Sequence, residues 1–130
     1  MIDILENLKP LSSALTVAEI QAQIYWIQVV NAHTQAFTCN LRENVQGKPW
    51  MPQYLYTMDP YVTQIKVCWK LIVGIQHTCQ INQNLLRSPE LMTLMNECVL
   101  FNEHLCRLIM IFSDIKHQIY MKKLDQMSSF

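Results

Sequence analysis

A chain of 130 residues is long enough for one self-sufficient core and too short for two comfortable domains, so a single domain over residues 1–130 is expected, alone or as a piece or subunit of something larger. Hydrophobic residues make up 51% and charged residues 15%, which excludes a disordered solvating tail and demands extensive burial. Ten basic and ten acidic residues cancel, so no global field gathers nucleic acid or anionic lipid, and apolar runs such as 71–75 fall far short of the roughly 20 residues of a membrane span.

Only two glycines occur, and the long periodic runs between them disfavour a turn-rich β sandwich in favour of an all-α domain. The opening Met1-Ile2-Asp3-Ile4-Leu5-Glu6 has no positive stretch ahead of an apolar one and does not read as a secretory leader. Cys39, Cys68, Cys79, Cys98 and Cys106 are odd in number, and no two are separated by two residues. That argues against a zinc framework and a fully paired disulfide scaffold, and for a reducing intracellular compartment, cytoplasm or nucleus.

The leader before Pro10 has room for a short helix around Ile4 to Leu8. Thr16-Val17-Ala18-Glu19 then matches a capping box and predicts a long helix over about 16–46, ended by Gly47-Lys48-Pro49. Ile20, Ile24, Ile27, Val30, Phe37, Leu41 and Val45 trace its apolar line, with Thr34 interrupting. Ala22, Tyr25, Val29, Ala32 and Ala36 form a second line on roughly the opposite side. Two faces therefore ask for burial: either this helix is sandwiched within the domain, or one face docks a partner chain. Asn31 and His33 are expected at the edge, with access to water, since burial would require hydrogen-bond partners. Gln21, Gln28 and Gln35, seven apart, read as a solvated stripe.

The connection 47–58 carries Pro49, Trp50, Met51, Pro52, Tyr54 and Tyr56. Its rings either fold over the bundle end as a lid or serve as a recognition loop, because Trp and Tyr offer rigid contact area at low entropic cost. Asp59-Pro60 then predicts the start of a second long helix, about 59–87. Its seam is Tyr61, Ile65, Cys68, Ile72, Ile75, Cys79 and Leu86, flanked by Val62, Trp69 and Leu71, with Lys66, Lys70, His77 and Asn84 on a solvated arc.

Ser88-Pro89-Glu90 breaks that helix and opens the third, about 88–123, with its tail fraying after Leu124. Leu91, Leu94, Cys98, Phe101, Leu105, Leu108, Phe112, Ile115 and Ile119 recur at three- and four-residue steps. Met92, Met95, Val99, Cys106, Ile109 and Met110 broaden this seam, leaving a narrow polar strip of Asn96, Glu103, Arg107, Asp114 and Gln118, with Glu103 and Arg107 spaced for an i,i+4 pair. Three long amphipathic helices in an antiparallel bundle follow.

The chemistry is sparse. Asp114 and His117 stand three apart like half of a dimetal motif, yet no second such step or inward carboxylate accompanies them. His77 with Cys79, and His104 with Cys106, point about 160° apart on a helix, too far for a nucleophile and its base. No catalytic residue, metal ligand or cofactor site is expected, and the chain reads as a non-catalytic protein-interaction or scaffold module, or a homo-oligomer. The residues expected to bind the partner are Tyr25 and Val29 of the first long helix with Trp50, Tyr54 and Tyr56 of the following connection. The competing expectation is a small-molecule binder or enzyme with a pocket under 47–58.

Overall fold

The computed structural model describes residues 2–11, 16–47, 53–85 and 88–128. Four helices are present, α1 (Ile2–Asn7), α2 (Val17–Asn44), α3 (Gln53–Leu85) and α4 (Pro89–Ser128), and there is no strand among the described residues. The architecture is thus three long helices and one short one. The end of the second predicted helix at Leu86 and Arg87 lies outside the described residues.

α4 is the central element. α2 and α3 each pack along it, whereas they touch one another only sparingly, and α1 lies against α2 and α3. Gln28 reaches Glu97 and Gln46 reaches Asp114, so α2 and α4 run in the same direction. Asn102 bonds Gln76 while Lys116 pairs with Asp59, so α3 runs the opposite way. The whole predicted α4 seam is buried, from Leu91 through Phe101 to Ile119, joined by Ile27, Val30 and Leu41 of α2 and Val62, Ile65 and Ile72 of α3.

Polar residues inside the α2 seam are satisfied by their own helix. Thr34 Oγ1 donates to the Val30 carbonyl at 2.8 Å and Thr38 Oγ1 to the Thr34 carbonyl at 2.7 Å, so neither hydroxyl is buried unpaired. Gln23 is buried too, and its amide clasps the amino-terminal segment: Nε2 donates to the Asn7 carbonyl at 3.1 Å, and Oε1 accepts from the Lys9 amide at 3.4 Å. Ile4, Leu8 and Leu11 are thereby held in the core.

The α2 ends follow local chemistry. Thr16 Oγ1 accepts from the Glu19 amide at 3.1 Å. At the other end the Val45 and Gln46 amides both reach the Leu41 carbonyl, and the chain leaves through Gly47, whose φ of +79° favours a residue without Cβ.

Two expected boundaries are corrected. α3 begins at Gln53, six residues ahead of Asp59, with Pro60 inside it. The reason lies in the spacing Leu55, Met58, Val62, Ile65, a helical seam that runs through the proline: Met58 is buried and Leu55 packs against the core. Pro60 forfeits only the bond to the Tyr56 carbonyl, in a turn so exposed that water can serve that oxygen. At the far end α4 continues to Ser128 without fraying after Leu124, although no described residue past Ile119 is buried.

Candidate functional site

An apolar recess lies at the surface along the outer side of the α3–α4 contact. Starting from the Asn102–Gln76 bond, one turn back along α3 and one turn forward along α4 bring Val73 beside Leu105 and Cys106, and a further turn brings Trp69 beside Ile109. These side chains line a groove of about 510 Å³, with Lys66 and Lys70 on the α3 rim. Trp69 and Val73 are each 41% exposed and Ile109 36%, so its apolar walls face water. Neither lysine forms an ion pair with a described residue.

The groove is open because the bundle lacks a fourth long helix. Two antiparallel helices leave a valley on each side of their contact; α2 fills one, and six-residue α1 packs against α2 and α3 rather than α4. At one end Asn102 Nδ2 donates to Gln76 Oε1 at 3.1 Å. Its Oδ1 is the one buried side-chain oxygen without a partner among the described residues.

A polar constellation occupies the α2–α4 contact instead. His104 is 6% exposed and lies between two amides: Gln35 Nε2 is 2.9 Å from its Nε2, and its Nδ1 is 3.2 Å from Asn31 Oδ1. An amide nitrogen can only donate and an amide oxygen only accept, so the ring fits as the neutral tautomer with its proton on Nδ1. Asn31 Nδ2 donates in turn to Glu97 Oε2 at 3.3 Å. The expectation of an edge position for Asn31 is therefore overturned, since these partners allow its burial, while His33 is exposed.

Burial, helped by the Arg107 guanidinium, holds the His104 pKa below the ordinary 6.5, against an opposite pull from Glu103 and Glu97. The unfolded chain therefore takes up this proton at higher pH than the folded one. The stabilisation is complete above about pH 6.5 and is lost as pH falls through the folded pKa. Urea midpoints measured from pH 7.5 down to 5.5 should fall, and His104→Gln should flatten that slope. An unchanged slope in the variant contradicts the buried neutral ring.

Of the described residues expected to bind a partner, Tyr25 and Val29 share α2, and Tyr56 lies far from both. Tyr25 is 57% exposed, with its ring edge-on to Trp26 at 5.1 Å, but Val29 is half-buried against the core. Tyr56 is 81% exposed on α3, not on a loop. Gln28 opposite Glu97 places Tyr25 level with about Leu94, whereas Tyr56 shares a cleft with Ile119 and Tyr120, roughly 37 Å further along α4 at 1.5 Å per residue. Trp50 lies outside the described residues, as does the side chain of Tyr54. The outer line Ala22, Tyr25, Ala32 and Ala36 is exposed, so α2 is not sandwiched within the chain.

The remaining candidates are accounted for structurally. Residues 53–58, expected to form part of a covering loop, are helical, and the cleft beside Tyr56, about 360 Å³, opens to solvent and has Asp59 paired with Lys116 at 3.3 Å. Asp114 accepts from Gln46 and Gln118. Glu103 and Arg107 do not form the expected ion pair. Cys68, Cys79 and Cys98 are buried and free, their thiols pushed up by burial to about 11, 11 and 12, which keeps them protonated and unreactive at neutral pH.

The fold and this groove define the class as an all-α helical bundle with an uncovered apolar valley. Comparison with known protein families, characterised proteins and solved structures brings no match. Trp69 and Ile109 were visible in the sequence only as flanks of two seams; their i,i+4 partners Val73 and Leu105, combined with the hairpin through Ser88-Pro89, are the signal that pairs them.

Proposed function

We propose that this protein is a non-catalytic interaction module that docks an acidic amphipathic helix of a partner protein in the α3–α4 groove. The observation that carries the reading is the conjunction of exposed Trp69, Val73 and Ile109 along one groove with unpaired Lys66 and Lys70 at its rim. A helix laid in such a valley inserts apolar residues at i, i+3 or i+4, and i+7, and the lysines favour carboxylates on the flank above them. A second copy of this chain is the competing occupant, and a role as a subunit of a larger assembly agrees with either.

A designed helical peptide with leucines at those positions and glutamates on one flank is the probe. Amide shifts on titration should concentrate at residues 66–73 and 102–109. A peptide with lysines for glutamates should bind at least tenfold more weakly. Trp69→Ala should cost about 2 kcal/mol of binding, in the range of an interface hot spot, with little change in melting temperature. Equal binding of both peptides, or shifts elsewhere, rejects the docking site. Sedimentation showing a dimer that Trp69→Ala dissociates assigns the groove to a second copy instead.

A further inference from the structure

We propose that the groove between α2 and α4 binds a phosphomonoester group, held between Arg42 and Arg107. This surface lies on the other side of α4 from the α3 contact, and the proposal does not depend on the docking reading above. The groove encloses about 450 Å³ and is lined by Ala32, Gln35, Ala36, Arg42, His104 and Arg107 among others, none of them a carboxylate. Only three arginines occur in the chain, and two of them, from different helices, line this groove.

Neither guanidinium makes an ion pair or a hydrogen bond with a described residue, although Glu43 adjoins Arg42 in sequence and Glu103 lies one turn before Arg107. In a chain with no net charge, two guanidinium groups without a direct ion pair lining one recess suit an anion by charge and by geometry. A carboxylate brings one charge and two oxygens, both of which a single guanidinium fork can engage. A phosphomonoester carries close to two negative charges and three acceptor oxygens, matching both forks at once.

The neighbouring groups suit the same ligand. Gln35 spends one amide hydrogen on His104 and keeps a second. His104 itself is held by Asn31 and Gln35, so it shapes the wall and leaves the charge to the arginines. Ala32 and Ala36 put only methyl groups along α2, which leaves space for whatever the phosphate is attached to. Cys39 lies at the same groove and is exposed.

The test is a titration followed by NMR at constant ionic strength, with inorganic phosphate, phosphoserine, a phosphoserine peptide and acetate as probes. Saturable shifts should appear at the Gln35 side-chain amide and the Arg42 and Arg107 guanidinium signals for the phosphates, and acetate should bind at least tenfold more weakly. Arg42→Gln and Arg107→Gln should each weaken binding at least tenfold while leaving the helical spectrum and melting temperature unchanged. Tighter binding of the peptide than of inorganic phosphate assigns the group to a protein side chain; equal binding assigns it to a free small phosphate, and either supports the site. Shifts that rise linearly without saturating, that acetate reproduces, or that survive in the double variant overturn it.

Discussion

Phe101→Ala should destabilise the protein by about 3–5 kcal/mol, a large share of the roughly 5–15 kcal/mol that holds a domain together. Phe101 is completely buried, in the helix against which both other long helices pack. Truncating it removes apolar surface from the core and leaves a cavity that two flanking helices, fixed by their other contacts, can only partly close. Urea unfolding of the variant checks the value. Met110→Ala on the same helix is the control: Met110 is 72% exposed, and its loss should change stability by less than about 0.5 kcal/mol. Similar costs for the two would mean that α4 is not the central element.

Pro60→Ala should act in the opposite direction, raising stability by about 1–3 kcal/mol. Pro60 is preceded within α3 by Gln53 to Asp59, so its nitrogen has no hydrogen to give the Tyr56 carbonyl, and a proline ring inside a helix crowds the carbonyl four residues before it. Alanine restores that bond and adds helix propensity. Were the helix to start at residue 60, proline would sit at its favoured first position and alanine would be neutral or harmful. The sign of the change in melting temperature therefore decides where α3 begins. Leu55→Ala supplies an independent check, since a loss of stability there requires that the turn before the proline packs on the core.

Most of the fold was legible because helical seams are local. The steps from Leu91 to Ile119 place nine side chains on one line whatever lies opposite, and all nine are buried. Capping at Thr16 and the break at Ser88-Pro89 are likewise decided by residues within one turn of each other, and the structure keeps both. The Asp59-Pro60 signal misled because the same dipeptide can open a helix or interrupt one, and the apolar spacing on its amino-terminal side favours interruption.

The candidate sites were legible only in part. Exposure depends on what covers a face, which sequence periodicity does not encode. Tyr25 and Tyr56 looked like one patch because both are aromatic and unclaimed by a seam, yet roughly 37 Å along α4 separates them. Asn31 was hidden for the complementary reason: it is polar and so looked like an edge, and only its meeting with His104 across two helices makes burial affordable.

By itself the sequence determined the all-helical class, the three long helices, the buried face of α4 and the free, core-forming cysteines, because each follows from the 3.6-residue period and from neighbours in the chain. Tertiary structure alone decided that α4 is central, that short α1 leaves the α3–α4 valley bare, and that Arg42 and Arg107 share a groove with His104. Those arrangements join residues up to about seventy positions apart. Their register is set by how whole helices pack, a property no local pattern carries.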